Sequence, residues 1–333
     1  MGYNFSNYIY HWFDSGFLMK TALVALGGNS LLRPEDGGTA DDQFNRMSET
    51  CKKLADMISQ GYDIVFTHGN GPQVGNILIQ NEHSSHLVPS MPLDICGAES
   101  QGQIGYMFQQ TLKNELKKKG IDRNIISLVT QVLVDKDDPA FNEPSKFVGP
   151  YYEEEKAKKM EKEKGWVMKK TSDGKYRRVV PSPKPMEIIE SEIIYDIIFS
   201  GEEGHIAIAA GGGGVPVIED DGDLKGVEGV IDKDLASAVL ASDIDEKFFI
   251  MLTRVDKVYL NFGEENEQAL SEINLEEAKK YLKEGHFPPG SMGPKIKASL
   301  HFLEQGGEKV LITSPEKLYQ ALDKEDGTYI VRE

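Results

Sequence analysis

The sequence predicts an α/β protein whose mostly parallel sheet is covered by helices on both faces, as a three-layer α/β/α sandwich. Five short runs are continuously apolar, which is typical of parallel strands buried on both faces: 63–67, 125–129, 206–210, 248–252 and 309–312. Between these runs, apolar residues recur with a period near 3.6, which predicts amphipathic helices. This alternation of strands and helices favours a parallel sheet.

From Lys20 onward the elements repeat in the order strand, glycine turn and helix, and the first strand is the apolar run 21–26. Three apolar stripes predict helices, and we assign the stripes to the core without a functional role. They consist of Phe44, Met47, Cys51, Leu54, Ala55 and Ile58; of Ile104, Met107, Phe108, Leu112 and Leu116; and of Ile188, Ile189, Ile193, Ile194, Ile197 and Ile198.

Glycine-rich turns follow three of the predicted strands, at 27–30, 69–71 and 211–214. Pro72 suits the first turn of a following helix, because its missing N–H would be unpaired there anyway. A glycine turn at a helix N-terminus binds anions, since free N–H groups and the positive end of the helix dipole point at the ligand. The three turns together predict a site that holds several negative groups at once.

The composition argues against two classes of partner. The net charge of −17 disfavours nucleic-acid binding, because phosphate backbones select basic surfaces. No apolar run reaches the roughly 20 residues that cross a bilayer, which argues against a membrane protein. Cys51 and Cys96 lie in apolar helical contexts, so we expect buried free thiols in a reducing compartment, which predicts a cytoplasmic protein.

Residues 1–18 differ in composition from the rest of the chain. They are rich in aromatic side chains and contain no Lys or Arg, so they lack the basic region of a signal or transit peptide. Met19 then precedes the first strand like a natural start. We interpret 1–18 as an N-terminal extension, either a non-native start or a disordered or packed tail, with a functional extension as the alternative. Residues 19–333 form the predicted domain, which the length allows to be one large unit.

The apolar periodicity fades between 136 and 182, where basic residues accumulate although the chain as a whole is acidic. They are Lys156, Lys158, Lys159, Lys162, Lys164, Lys169, Lys170, Lys175, Arg177 and Arg178. A solvated hairpin-and-helix excursion is one interpretation. The other is a lid, because insertions of this size in a compact domain often have that role, and a lid lined with cations would suit anionic substrates.

Phosphoryl transfer is the chemistry that these features support. It needs backbone N–H cradles and cations on the moving group, and little covalent work from the protein. The turns at 27–29 and 69–71 offer cradles. Lys233 and Lys295 offer cations, and each lies at a predicted helix start, where the dipole disfavours a merely structural lysine. Ordinary surface lysines are the alternative.

Other ligand-binding motifs are missing or weak. No Gly-x-x-x-x-Gly-Lys-Ser/Thr sequence occurs, which argues against a P-loop NTPase, and the protein-kinase glycine loop is missing too. The stretch 69–75 resembles a variant dinucleotide fingerprint, but Pro72 stiffens the turn and no acidic residue ends a second strand about twenty residues on. His83 and His86 have a metal-ligand spacing without a third ligand nearby, which favours a polar loop and no metal site.

Six stretches in this order carry a resemblance to one family: Ala25–Asn29, Thr67–Gly75, Ser100–Tyr106, Gly211–Val217, Val230–Ala236 and Gly290–Lys295. On these stretches, the chain from Lys20 to its C-terminus resembles the amino acid kinase family and, within it, the carbamate kinases. The resemblance implies the amino acid kinase fold, with a phosphoryl-acceptor half at 19–205 and a nucleotide-binding half at 206–333.

One position distinguishes branches of that family. Acetylglutamate-type relatives place a lysine two residues before the first glycine turn, where this chain has Ala25. Carbamate kinases also lack that lysine and supply one from a protruding subdomain. The stretch 143–151 resembles this replacement, so the resemblance implies Lys146 as the lysine and 136–182 as the lid subdomain. Where the family usually has a second proline, this chain has Phe147.

The resemblance also implies an activity, the reversible reaction of ATP and carbamate to ADP and carbamoyl phosphate. Mg²⁺ would be carried with the nucleotide, and the reaction would make ATP in the catabolism of arginine and carbamoyl phosphate. The implied partners are ATP or ADP, carbamate or carbamoyl phosphate, and a second copy of the chain in a homodimer.

The family's site residues carry over to matching positions of this sequence. Carbamate and the transferring phosphoryl group are assigned to Gly27, Gly28, Asn29, Asn70 and Gly71. The implied catalytic residues are Lys146, Lys233 and Lys295, which neutralise phosphates, and Asp234, which organises the lysines. Nucleotide contacts are implied at Gly212, Gly213, Lys233, Asp234, Asp256, Tyr259, Met292 and Lys295.

Two alternatives to this activity stay open. A phosphotransferase of the same family could use another small acid as acceptor, although Ala25 weighs against the acetylglutamate type. A non-catalytic regulator could bind nucleotide or carbamoyl phosphate without turnover, although the lysines of the site are intact.

Overall fold

The computed structural model describes residues 20–28, 37–199 and 204–333. The predictions for 1–18 and for Asn29 therefore lie outside the described residues. The strands are β1 Lys20–Leu26, β2 Tyr62–His68, β3 Ile125–Ser127, β4 Gln131–Val134, β5 Lys146–Tyr152, β6 Val167–Lys170, β7 Tyr176–Val180, β8 Pro185–Ile188, β9 Ile206–Ile208, β10 Val215–Asp220, β11 Asp223–Gly226, β12 Phe248–Leu252, β13 Val258–Leu260, β14 Gln268–Leu270, β15 Glu272–Asn274, β16 Lys309–Thr313 and β17 Thr328–Val331. The helices are α1 Ala40–Ser59, α2 Gly71–Ser84, α3 Leu93–Lys118, α4 Glu154–Lys164, α5 Ser191–Phe199, α6 Lys233–Asp243, α7 Leu275–Glu284, α8 Met292–Glu304 and α9 Leu318–Leu322.

The central sheet has eight strands in the order β15-β17-β16-β12-β1-β2-β9-β3. Every pairing in it is parallel except that of β16 with β17. The five apolar runs of the sequence all form strands of this sheet, as the pattern predicted. The strand that begins at residue 206, β9, lies between β2 and β3. It therefore belongs to the part of the sheet whose other strands come from earlier in the chain.

Two hydrophobic cores cover the two faces of this sheet. In β1, Leu23 and Ala25 point into one core, which holds side chains of α6 and α8. Ala22, Val24 and Leu26 point into the other core, which holds side chains of α1 and α3. The strand is buried on both faces because successive side chains alternate between them. The predicted three-layer α/β/α sandwich is confirmed.

The third predicted helix begins later than its isoleucine stripe indicated. Ile188 is the last residue of β8, where it pairs with Val132 of β4. Its N–H donates to the carboxylate of Asp243 at 2.9 Å. The helix α5 starts only at Ser191. The prediction was wrong at this end because isoleucine also favours strands, and pairing with β4 outweighed the helical period.

A separate antiparallel sheet, β5-β7-β6, lies in the chain between β4 and β8 together with the helix α4. It has a small core of its own around Tyr152, Ala157 and Met168. We call residues 146–180 the inserted sheet. A second, four-stranded sheet of order β11-β10-β4-β8 lies next to it in sequence. That the inserted sheet acts as a lid stays a prediction.

The two cysteines, Cys51 and Cys96, are buried and free, as predicted. Among the helices in the described ranges, none is both long and apolar enough to cross a membrane.

Candidate active site

A cleft of about 700 Å³ opens where β1, β2 and β12 end. Because these strands are neighbours and parallel, their carboxyl ends meet at one edge of the sheet. Ligands of open α/β sheets bind beyond that edge. The turns that follow β1 and β2 form one wall, and α6 and α8 begin at the cleft.

The first two glycine turns are packed against each other. The N–H of Gly27 donates to the carbonyl of Leu252 at 3.1 Å, and the N–H of Gly69 donates to that of Leu26 at 3.3 Å. A Cβ on Gly69 would lie 3.4 Å from Cδ of Lys233 and 3.5 Å from Cα of Gly28. The stem of Lys233 therefore lies against the two turns, which brings its ammonium group to the cradle.

The third glycine turn supports the second one. Gly212 has φ +68°, and a Cβ there would lie 2.1 Å from Nδ2 of Asn70. Asn70 therefore packs directly on a position that only glycine fits. Its Nδ2 also donates to Oγ of Ser100 at 2.8 Å. These contacts fix the amide of Asn70 at the N-terminus of α2.

A buried cluster of three charged side chains forms the floor of the cleft. Asp234 Oδ1 accepts from Lys233 Nζ at 2.5 Å, and its Oδ2 accepts from Lys295 Nζ at 2.8 Å. The side chains of Asp234 and Lys295 are only 8% and 11% exposed. One carboxylate thus holds two ammonium groups at a fixed separation, which leaves a net positive charge for anionic ligands.

Burial and the charges of this cluster change the pKa values of its members. Burial alone would raise the pKa of Asp234, but the charges of Lys233 and Lys295 outweigh it and hold that pKa well below the usual range. Burial, and then the charge of Lys233, lower the pKa of Lys295 despite its pairing with Asp234. Burial also lowers the pKa of His68, at the end of β2, to about 4. His68 is therefore neutral near pH 7 and donates from Nδ1 to the carbonyl of Gly69 at 3.0 Å.

Lys146 reaches the cleft from the inserted sheet. It is the first residue of β5, and its Nζ donates to Asp232 Oδ2 at 2.9 Å. Its side chain is 40% exposed, far more than those of Lys233 and Lys295. Lys146 is therefore a partly solvated cation at the mouth of the cleft, whereas Lys233 and Lys295 are shielded cations on its floor.

Most of the predicted site residues lie together. The cleft is lined by Gly27, Gly28, Asn70, Gly71, Lys146, Gly212, Lys233, Asp234, Tyr259, Met292 and Lys295. Two of the predicted nucleotide contacts are not in this lining: Gly213 is buried, and Asp256 accepts a hydrogen bond from Ser314 Oγ at 2.5 Å. Asn29 is outside the described residues. Which of these side chains contact a ligand stays a prediction.

Most basic residues of the inserted sheet lie outside the lining of the cleft. In the described part of the inserted sheet, Lys146 is the basic residue that lines the cleft. Several of the others have acidic partners elsewhere: Lys158 pairs with Glu154, Lys156 with Glu82 and Arg178 with Glu228. Acidic neighbours thus pair with part of the basic run, whereas Lys169 and Arg177 donate to the backbone carbonyl groups of Pro144 and Gly149.

At the other end of the cleft, where the predicted Tyr259 lies, sequence reasoning missed Phe262, Pro288, Pro289, Arg254 and Lys257. The rings of Tyr259 and Phe262 lie 5.6 Å apart, and Pro288 and Pro289 line the wall with them. Arg254 and Lys257 add positive charge. Arg254 comes two residues after the end of β12, so the rule that ligands bind beyond strand ends could have found it.

The chain is similar to known proteins over almost its whole length. The profile of the amino acid kinase family matches residues 20–314. The carbamate kinase of Thermococcus kodakarensis is 48% identical over 318 residues, 95% of this chain and 100% of that protein. The carbamate kinase of Pyrococcus furiosus is 47% identical over 314 residues, 94% and 99% of the two chains.

A solved structure agrees with these relatives. The carbamate kinase from Giardia lamblia bound to AMP-PNP has a TM-score of 0.89 and 38% identity, and the match covers 95% of this chain and 99% of that one. Fold and site define a phosphotransferase with a glycine-lined, lysine-rich cleft. The chain belongs to the amino acid kinase family and, within it, to the carbamate kinases.

Proposed function

We propose that this chain transfers a phosphoryl group reversibly between ATP and carbamate. One observation carries the proposal: Lys146, Lys233 and Lys295 line the same cleft as the glycine turns after β1 and β2. A small anion held at the turns and a nucleotide phosphate held at the lysines would meet there. Relatives that are 47–48% identical over 94–95% of this chain carry the name carbamate kinase, which supports this acceptor.

The reaction needs no general base in this cleft. Carbamate already has an anionic oxygen, so no proton has to leave the nucleophile before it attacks phosphorus. The task of the protein is to bring two anions together in line. Backbone N–H groups at Gly28 and Gly71 would orient the acceptor, while Lys233 and Lys295 would stabilise the negative charge on the transferring group and the leaving oxygen.

The nucleotide would extend from the lysines towards Tyr259 and Phe262, whose rings offer an apolar wall for a flat base. Mg²⁺ fits this cleft best as a companion of the phosphates. Asp232 and Asp234 are the carboxylates of its described lining, and both are paired with lysines. The ion would neutralise phosphate charge when bound.

We also propose that the protein works in the cytoplasm as a homodimer, and that it makes ATP during the catabolism of arginine and carbamoyl phosphate. These points rest on the family membership and on the buried free thiols. Light scattering on the purified protein measures the oligomeric state, and a monomeric mass would contradict the dimer.

The decisive experiment is ATP formation from ADP, Mg²⁺ and carbamoyl phosphate, detected by coupled luminescence. We expect rapid ATP production. Well-folded protein that makes none would falsify the proposed activity. A panel of acceptor acids with labelled ATP distinguishes a different acceptor, and calorimetry distinguishes a regulator that binds the same ligands without turnover.

A further inference from the structure

Asp232 is a residue of the cleft to which nothing above gives a role in the reaction. It is the N-cap of α6, and its Oδ1 accepts from the N–H groups of Asp234 at 3.1 Å and Leu235 at 3.4 Å. Its Oδ2 accepts from Lys146 Nζ at 2.9 Å. A single carboxylate therefore joins the inserted sheet to the helix end that carries Lys233 and Asp234.

The two ends of β5 are held differently. At its far end, Tyr152 is buried and its hydroxyl donates to Glu82 of α2 at 2.5 Å. At its near end, the backbone of Lys146 pairs with Val180, but its side chain extends into the cleft. A lysine side chain has many rotamers, so a solvated one needs a partner to stay in one place. Asp232 is that partner.

We propose that Asp232 is a positioning residue, which holds the ammonium group of Lys146 at the mouth of the cleft before the phosphoryl group binds there. This rests on the proposed function, in which Lys146 clamps that group. The helix N-terminus partly offsets the negative charge of Asp232, because its second oxygen accepts two backbone N–H groups. The carboxylate can therefore stay beside an incoming anion and fix the lysine without repelling the substrate strongly.

Two substitutions separate positioning from helix capping. Asn and Ser are both good N-caps, so Asp232→Asn and Asp232→Ser keep α6 capped. In Asp232→Asn the amide oxygen keeps the cap, so the side-chain NH2 group faces Lys146 and cannot accept from it, and in Asp232→Ser the hydroxyl is too short to reach Lys146. We expect kcat of ATP formation to fall by about 10-fold to about 100-fold in both variants, since a small displacement of a catalytic group has effects of this size. KM for ADP and the melting temperature should change little.

The control is the same pair of substitutions in a Lys146→Ala background. If Asp232 acts through Lys146, Asp232→Ser should reduce kcat there by less than about 2-fold, because residues in one interaction are not additive. A full reduction in that background, or wild-type kcat in Asp232→Ser alone, would overturn the proposal.

A second readout does not depend on the activity. Acetic anhydride labels solvated lysines, and peptide mass spectrometry reports the rate at Lys146. In Asp232→Ser we expect Lys146 to be labelled several-fold faster. The labelling rate of Lys169, which lies in the same inserted sheet and donates to the carbonyl of Pro144, should not change. Equal labelling rates of Lys146 in the wild type and in Asp232→Ser would contradict the positioning role. An inactive wild type with faster labelling would instead contradict only the proposed function.

Discussion

The floor and the mouth of the cleft bring cations to the same site by different means. On the floor, Lys233 and Lys295 share Asp234, nearly out of contact with water, on helices that pack against the central sheet. At the mouth, Lys146 is 40% exposed, belongs to a separate small sheet and pairs with one carboxylate. The fixed charges are part of the folded core, whereas we expect the fold to tolerate substitution of the cation at the mouth.

The largest expected effect comes from Asp234→Asn. It leaves Lys233 and Lys295 close together without a counter-charge in a buried place. Breaking a buried ion pair on one side destabilises a protein by about 3 kcal/mol or more, and we expect ATP formation to fall by roughly 10³-fold. Urea unfolding and the coupled assay measure the two effects.

The matched control for that variant is Asp245→Asn, which removes the charge of an exposed carboxylate paired with Lys247. It should change the free energy of unfolding by less than about 1 kcal/mol. If Asp234→Asn were as stable and active as this control, the floor would not depend on its shared carboxylate.

Lys146→Ala tests the mouth in isolation. Lys146 is 40% exposed, and Asp232, which is 17% exposed, keeps its two backbone N–H donors, so the free energy of unfolding should change by less than about 1 kcal/mol. Loss of a charge that acts on the transferring group should reduce kcat by about 10²-fold or more, with nucleotide affinity nearly unchanged. Lys169→Ala in the same inserted sheet is the control. Wild-type turnover in Lys146→Ala would remove the mouth cation from the mechanism.

The buried, neutral His68 at the end of β2 makes the folded protein sensitive to acid. Its pKa is lowered from 6.5 to about 4 by burial, so the unfolded chain binds a proton more readily than the folded one. Stability from this group is complete above pH 6.5 and is lost as the pH falls towards 4. Between pH 7 and pH 4.5 we expect a loss of about 2 kcal/mol from His68.

The measurement is urea unfolding of the wild type and His68→Gln at both pH values. Other groups shift too: burial raises the pKa of Asp243 to about 6, which works in the opposite direction over part of this range. The difference between the two proteins isolates His68. An equal loss of stability in both would show that the histidine does not contribute.

The parts of the site that the sequence predicted are the ones encoded locally. A glycine run after an apolar strand indicates a tight turn at a strand end. Lys233, Lys295 and Lys146 were predicted because they lie in sequence stretches that resemble family motifs. The fold was predictable for the same reason, because the five buried strands have continuous apolar runs. The start of α5 was misplaced, because strand pairing and helical period compete there, and β3 and β9 end two residues before their predicted apolar runs do.

The parts that were missed depend on contacts between distant residues. Asp232 lies 86 positions from Lys146, and its place before α6 is already explained by helix capping. The basic run of the inserted sheet suggested a charged lid, yet partners such as Glu82 and Glu228 come from other segments. Charge patterns along a sequence do not show which partners the fold supplies.

The smallest expected effect concerns how the inserted sheet is attached. Tyr152→Phe removes the hydroxyl that donates to Glu82 and leaves Lys156 paired with the same carboxylate. Loss of one such hydrogen bond lowers the free energy of opening by about 1 kcal/mol. Hydrogen exchange of the β5 amides should therefore become about 5-fold faster, while the central sheet stays protected. Tyr106→Phe, on the exposed face of α3, is the control and should change neither region. Faster exchange in β1 and β2 as well would show that the inserted sheet unfolds together with the core, and the contrast between floor and mouth would then fail.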